Sequence, residues 1–501
     1  MSDVLWALIG IQMAMGLFDT VVHHELTERL AWRPSQAKEL RLHAIRNWFY
    51  ALLFGVLGWF EPTGLFAIAV MLLLGIELII TLIDFVEEDL SRSLPASERV
   101  THTLLALNYG AILVLLLPVL LDWAALPSGL AGAYHGIWTW LCTGAVLGTL
   151  LFGLRDMAAA IRAPGLVPVD PEELIPRARQ SETILVTGAT GFIGRRLVEV
   201  LVANGFQVIA LVRQRSADLP LPITLVTDLD QIPATTRIDA IVNLAGEPIA
   251  NGLWTKAKRG RIVESRRDIT RAVVQLIKRL DQRPEVLVSG SAIGWYGLRG
   301  DEELNEGSGA DASFSHELCA MWEAEALQAR DLGPRVVLLR IGLVLGVEGG
   351  LLSRMLTPFE FGLGGKIGDG SQWMSWITRD DLVRLICHAI VCKKVSGKLN
   401  ATAPVAVTNA EFTTALGRAL GRPTVLSIPT RPLRLLGGDM AKELLLGGQR
   451  VGPLAALATG FSFEHPDIET AMAALFSKEE AGARKDQRKP GTTAKLRSNF
   501  G

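Results

Sequence analysis

The stretch Thr187-Gly188-Ala189-Thr190-Gly191-Phe192-Ile193-Gly194 constrains this chain most, because the apolar run 183–186 leads into it and residues 195–203 leave it with helical spacing. Strand, glycine-rich turn and helix in that order make a dinucleotide cradle. Gly188 permits the tight turn, Gly191 lets the backbone approach a pyrophosphate and Gly194 lets helix and strand pack closely, while the N–H groups of the first helical turn hold the anion. Strand patterns follow at 207–212, 224–227, 240–244, 286–289 and 335–341, with a long helical pattern near 265–280. The alternation predicts an α/β Rossmann fold, a doubly wound parallel sheet.

A chain of 501 residues is too long for one ordinary domain, and a net charge of −1 disfavours a nucleic-acid binder. The apolar residues concentrate before position 164, in segments 4–22, 47–60, 63–85, 103–123 and 134–154. Most approach the ~20 residues needed to cross a bilayer; the second is short enough to be re-entrant. The first has no basic start or Ala-x-Ala cleavage site, so it reads as a span and not as a signal peptide. The expected architecture is an all-α transmembrane bundle of about five spans over residues 1–160, a Pro- and charge-rich linker over 161–180 and the Rossmann domain over 181–403. Arg29, Arg33, Lys38, Arg41 and Arg46 follow the first segment, Arg92 and Arg99 the third, Arg155 and Arg162 the fifth, and the other connections carry no Lys or Arg. The positive-inside bias then places the N-terminus outside and the Rossmann domain in the cytoplasm of a multi-pass inner-membrane protein. Cys142, Cys319, Cys387 and Cys392 form no Cys-x-x-Cys pair, as expected of reduced thiols without a structural zinc. The tail 477–501 is polar and reads as disordered, with Lys485, Arg488 and Lys489 placed to touch anionic headgroups.

Acid and histidine residues recur four apart in the first block: Asp19 with His23, Glu39 with His43, Glu98 with His102, and Asp84 with Glu88. Residues at that spacing share a helix face, and all four pairs fall at the predicted cytoplasmic ends. Two readings are open. One is an iron, manganese or zinc site made by His23, His43, Asp84, Glu88 and His102. The other is an interfacial network in which the acids pair with Arg29, Arg41, Arg46, Arg92 and Arg99, for no Glu-x-x-His motif is present.

Within the second block, the strand at 207–212 is followed by Arg213, where an acidic residue would favour NAD. A cation there suits a 2′-phosphate, so NADP(H) is the expected cofactor, with Arg195 or Arg196 assisting. The expected binding set is Gly188, Thr190, Gly191, Phe192, Ile193, Gly194, Arg195, Arg213, Asp228, Leu244, Ala245 and Gly246.

The glycine loop, Asn243-Leu244-Ala245-Gly246-Glu247-Pro248-Ile249, Glu264-Ser265-Arg266, Ser289-Gly290-Ser291-Ala292-Ile293-Gly294-Trp295-Tyr296-Gly297, Leu318-Cys319-Ala320-Met321-Trp322-Glu323 and Gly370-Ser371-Gln372-Trp373-Met374-Ser375-Trp376-Ile377 resemble the sugar-nucleotide epimerase-like family of atypical extended short-chain dehydrogenase/reductases. The resemblance covers residues 182 to about 467. It implies NADP binding and a small C-terminal α+β domain of unknown function over 404–470, and it supplies no substrate. Ordinary members carry Tyr-x-x-x-Lys, whose lysine lowers the phenol pKa for proton transfer. Here Tyr50, Tyr109, Tyr134 and Tyr296 are followed at the fourth position by Phe54, Leu113, Trp138 and Gly300. If Glu323 is aligned with the glutamate after that motif, Ser315 and Cys319 take its two places.

The catalytic candidates that remain are Ser291, to polarise a carbonyl, Tyr296, to donate a proton or to serve only as a turn residue, and Glu247. Lys256, Arg266, Glu306 and Gln372 are expected around the same cleft, and Trp254, Trp295, Trp373 and Trp376 as its apolar lining or as packing. Three functions follow. The first is a membrane-anchored NADP(H)-dependent oxidoreductase or isomerase acting on a small, lipid-soluble molecule. The second is an NADP(H) sensor without turnover, and the third a metal-dependent membrane redox enzyme fed by the soluble half.

Overall fold

Long charge-free runs of Leu, Ile and Val coil most of the first third of the chain into helices. A computed structural model describes residues 1–92, 94–166, 168–175, 182–214 and 219–476, in two units, Met1–Val167 and Pro168–Gly501. In the first unit, α1 (Asp3–Phe18) is capped by Ser2, whose side chain accepts from the Leu5 N–H. It continues without a break into a π-helical segment, Asp19–Glu28. Helices α2 (Ala37–Trp59), α3 (Leu65–Ser91), α4 (Ala96–Ala124) and α5 (Ile137–Arg162) follow. Strands β1 (Phe60–Thr63) and β2 (Gly129–Gly132) pair antiparallel, tying the α2–α3 turn to the α4–α5 turn at one end.

Polarity in this unit is reversed from that of a water-soluble domain. Leu72, Val114, Leu147 and Leu154 are 63–72% exposed, whereas Glu39, Glu77, Asp84 and Glu98 are wholly buried. Four helical stretches, Asp3–Trp32, Leu65–Ser91, Ala96–Ala124 and Ile137–Leu166, are long and apolar enough to cross a membrane. The short apolar segment expected at 47–60 is the second half of a 23-residue helix, α2, whose first half carries Lys38, Glu39, Arg41, His43 and Arg46.

The second unit is built on seven parallel strands: β3 (Thr183–Thr187), β4 (Gln207–Leu211), β5 (Thr224–Val226), β6 (Ala240–Asn243), β7 (Val286–Ala292), β8 (Arg335–Ile341) and β9 (Gly397–Ala401). They lie in the order β9-β8-β7-β6-β3-β4-β5. Alternate residues serve opposite faces. Ile184, Val186, Val208 and Val242 pack with α6 (Phe192–Ala203) and α9 (Arg379–Val391). Leu185, Ile209, Ile241 and Leu287 pack with α7 (Lys256–Arg279) and α8 (Phe314–Leu327). Because both faces are covered, these strands read as continuous apolar runs. β9 breaks that pattern with the buried Asn400 and was not anticipated.

One segment differs from expectation. Residues 168–175 are not linker: Leu174 and Ile175 join the sheet core, Arg196 Nη2 donates to the Val169 carbonyl (2.5 Å) and Asn204 Nδ2 to that of Pro171 (2.9 Å). Residues 404–470 belong to the second unit, with Ala456 and Phe461 in the sheet core. Residues 176–180 of the expected linker, residue 181, and the tail with Lys485, Arg488 and Lys489 lie outside the described residues.

Candidate functional site

Strand β3 delivers the chain to the point where the strand order reverses, between β3 and β6, the usual place for ligands in open α/β sheets. There Gly188 turns with φ +71°, which favours glycine. A Cβ on Gly188 would lie 2.9 Å from the Ala245 nitrogen, and one on Gly194 2.1 Å from the Gly188 carbonyl oxygen. The loop, α6 and residues 244–246 therefore meet backbone to backbone. Gly191 is the N-cap of α6, and among the described residues no side-chain hydrogen bond caps that terminus.

Beneath the loop runs a chain of buried hydrogen bonds. Thr187 Oγ1 donates to Asn243 Oδ1 (2.7 Å), Asn243 Nδ2 donates to Thr270 Oγ1 (2.9 Å), and Trp322 Nε1 donates to the same hydroxyl (3.0 Å). The Ala245 N–H donates to Thr187 Oγ1 (3.2 Å). Paired in this way, the polar groups cost little to bury and hold the floor rigid.

Phe192 packs against glycines that the sequence reading passed over. A Cβ on Gly346 would come within 2.7 Å of its ring and one on Gly349 within 2.4 Å. Arg379 covers the ring at 5.0 Å and pairs with Glu348 at 2.5 Å. The glycine density of 346–350 was the available signal.

A second buried network begins at β7. Ser291 Oγ donates to Glu323 Oε1 (2.7 Å), and Glu323 accepts two bonds of 2.9 Å from Arg340. The Arg340 guanidinium lies 3.6 Å from the centre of the Trp295 ring. Burial pushes the Cys319 thiol up to about 11. Arg266 donates to the Glu247 carbonyl (3.0 Å) and lies over Trp322 at 5.1 Å; burial lowers its pKa. Glu443 caps α8, accepting from the Phe314 and Ser315 N–H groups at 3.1 and 2.9 Å.

The comparisons with known proteins fall on this unit. A model of the NAD dependent epimerase/dehydratase family matches residues 184–400, and a domain of unknown function (DUF1731) matches 428–475. An epimerase family protein of Mycobacterium leprae is 39% identical over 300 residues, 59% of this chain and 96% of that relative. The chain belongs to the epimerase family. Another relative, the chloroplastic SDR39U1 homologue of Arabidopsis thaliana, is 39% identical over 303 residues, 58% of this chain and 86% of its own length. The structure of human epimerase family protein SDR39U1 (isoform 2) with NADPH superposes with a TM-score of 0.55 at 35% identity, covering 59% of this chain and 99% of that one.

In this epimerase family unit, several expected site residues are already engaged. Tyr296 is wholly buried and its hydroxyl donates to Asn400 Oδ1 (2.8 Å); burial raises its pKa. In this geometry it is a core residue and not a proton donor facing a cleft. The Ser291 hydrogen is committed to Glu323, so the hydroxyl polarises a carbonyl only after breaking that bond. Glu247 is paired with Lys258 at 2.5 Å, and the hydrogen bond from that lysine lowers its pKa. Glu306 leaves the expected cleft: its Oε1 accepts the N–H groups of Asn400 (3.0 Å) and Ala455 (3.1 Å). Gln372 donates to the Leu445 carbonyl (3.2 Å). Arg196 binds Asp380 at 2.8 Å, which removes it as a helper for a 2′-phosphate.

Trp376 is wholly buried and Trp254 is 8% exposed, both as core, while Trp373 donates to Asp301 (2.7 Å) under Arg450. Arg213 and Asp228 are exposed just beyond β4 and β5. Asp228 accepts from the Asp230 N–H (2.9 Å).

The acid and histidine pairs of the first unit converge at the bundle end opposite the β1–β2 hairpin. His43 Nε2 lies 3.2 Å from Asp84 and 3.5 Å from Glu88, and His102 lies 3.2 Å from Asp19 and 3.3 Å from Glu88. Arginines take part of the cluster: Arg46 binds Asp84, and Arg92 bridges Glu39 (3.0 Å) and Glu98 (2.7 Å). His24, which the sequence reading passed over, stands at the centre. Its Nε2 is 3.5 Å from Asp19 and 3.7 Å from Glu98, and its ring stacks on His43 at 4.6 Å. His23 instead bonds the far oxygen of Asp19 (2.8 Å). The expected spacing assumed an α-helix, whereas the π-helical turn of Asp19–Glu28 brings residues five apart into register and turns His24 inward.

Proposed function

We propose that this chain is an NADP(H)-binding, epimerase-like oxidoreductase or isomerase whose catalytic unit is carried by a five-helix membrane bundle. The observation behind it is the cradle of Gly188, Gly191 and Gly194, where side-chain-free backbones meet beside an uncapped helix terminus. That arrangement suits a pyrophosphate, and the similar human protein was solved with NADPH. Arg213, exposed after β4, would meet the 2′-phosphate. When bound, the nicotinamide supplies hydride chemistry. Leu244, Ala245 and Gly246 would border it, and Ser291, freed from Glu323, is the hydroxyl best placed to meet a substrate oxygen. The reversed polarity of the first unit supports membrane residence, and the arginine distribution a cytoplasmic cofactor unit. A small, lipid-soluble substrate fits the exposed Leu435 and Leu436, 85% and 76% accessible.

A second reading, an NADP(H) sensor without turnover, is favoured by the engaged state of Tyr296 and Ser291 and the raised thiol of Cys319. Calorimetry with NADPH and NADH, followed by NADPH oxidation over a broad carbonyl panel, separates the two. Tight NADPH binding with turnover supports the enzyme, binding without turnover the sensor, and no binding of either cofactor defeats both.

A further inference from the structure

The structure assigns a single divalent transition-metal site to His24, His43 and Glu88, inside the polar end of the helix bundle. Two triads bring a histidine nitrogen or carboxylate oxygen from each member within 4.8 Å of the others: Asp19, His24 and His102, and His24, His43 and Glu88. His24 Nε2 carries one lone pair and serves one ion, so the triads are alternatives. Hydrogen bonding chooses between them. In the first, Asp19 Oδ2 and His102 Nε2 already bond each other at 3.2 Å. In the second, His24 Nε2 and His43 Nε2 make no hydrogen bond among the described residues, Glu88 Oε1 lies 3.5 Å from His43 Nε2, and Glu88 Oε2 is buried beside His102 at 3.3 Å.

His43 is 6% and Glu88 1% exposed, while the His24 side chain keeps 14% exposure. Leaving buried polar atoms unpaired is unfavourable, and one cation among His24, His43 and Glu88, whose ligand atoms lie within 4.8 Å of one another, would satisfy both imidazole nitrogens. Nitrogen and oxygen neighbours lie close but misaligned for hydrogen bonds, as with His43 Nε2 and Glu88 Oε1 at 3.5 Å. Two metal–ligand bonds of about 2.1 Å at 90–110° hold their donors roughly 3.0–3.5 Å apart, which matches His43 and Glu88, while the His24 ring, now stacked 3° from parallel on His43 at 4.6 Å, has to turn out of the stack for both lone pairs to meet one ion.

Charge points the same way. Asp19, Glu39, Asp84, Glu88 and Glu98 are buried together, and the arginines among them, Arg46 and Arg92, bind Asp84, Glu39 and Glu98. Protonated histidines would supply positive charge but would leave His24 and His43 with buried, misaligned donors. A divalent cation offsets the charge and consumes the lone pairs. Two imidazoles and one carboxylate with room for exogenous ligands suit iron(II), manganese(II) or zinc. Asp19, 3.5 Å from His24 Nε2, and His102, 3.3 Å from Glu88 Oε2, flank the triad.

The test uses the full chain in detergent or nanodiscs, stripped with chelator and titrated with cobalt(II), zinc and manganese(II). Metal content is read by plasma mass spectrometry and cobalt geometry by its visible bands. One metal per chain is expected, with affinity reduced at least tenfold in His24→Ala, His43→Ala and Glu88→Gln and retained in His23→Ala and His135→Ala. Wild type binding no cobalt(II) stoichiometrically would overturn the assignment even if the ligand variants fail to fold. Undiminished binding in folded His43→Ala and Glu88→Gln protein would overturn it as well.

Discussion

Arg213 and Tyr296 show how differently single residues carry information. The position of Arg213 just after β4 follows from the strand pattern, and its proposed role is to meet a 2′-phosphate. Arg213→Ala should weaken NADPH by ~1–2 kcal/mol, the worth of one charge-assisted phosphate bond, and leave NADH unchanged. Calorimetry showing equal losses for both cofactors would contradict that role. Tyr296 is a poor guide, since an unpaired sequence cannot reveal that Asn400, 104 positions on, accepts its hydroxyl. Tyr296→Phe strands a buried acceptor at a cost of roughly 1–3 kcal/mol. Lower thermal stability with unchanged NADPH affinity is therefore expected, and turnover lost at full stability would restore Tyr296 as an acid.

Elements were legible wherever burial imposes a period. β3, β4, β6, β7 and β8 sit between two helical layers and announce themselves as apolar runs. β9 does not, because its fourth residue, Asn400, spends its polar groups inside the fold on Tyr296 and the Gly452 carbonyl. The π-helical segment failed for the opposite reason: a 3.6-residue period was assumed where the backbone adopts a wider turn, so His23 was chosen over His24. The glycine loop was read correctly as a turn because its constraint is steric and local. Gly194→Ala sets a methyl 2.1 Å from a backbone oxygen that cannot yield without shifting α6. Overpacking of this kind costs about 1–3 kcal/mol, so NADPH affinity should fall sharply while the far-ultraviolet circular dichroism is kept. Wild-type affinity in that variant would show that α6 slides freely.

At the scale of the whole molecule, two opposite solvation regimes share one chain. The first unit turns leucines outward and carboxylates inward; the second does the reverse. The five-span reading predicts that reporters after Met1, near Pro127 and after Ile161 will report outside, outside and inside. A cytoplasmic signal near Pro127 would exclude it.

The docking of residues 168–175 onto α6 bears on where the second unit can be cut. Family similarity begins at residue 184, which invites a fragment starting there. Such a fragment would strip Leu174 and Ile175 from the core and leave Arg196 and Asn204 without the carbonyls of Val169 and Pro171. At ~25 cal/mol per Å² of uncovered apolar surface, two large aliphatic side chains amount to a few kcal/mol, a large part of a domain's total stability. A fragment beginning at Pro168 should therefore melt several degrees above one beginning at Glu182 and stay monomeric where the shorter one aggregates. The eight residues that look like a leash act as a lid on the hydrophobic core.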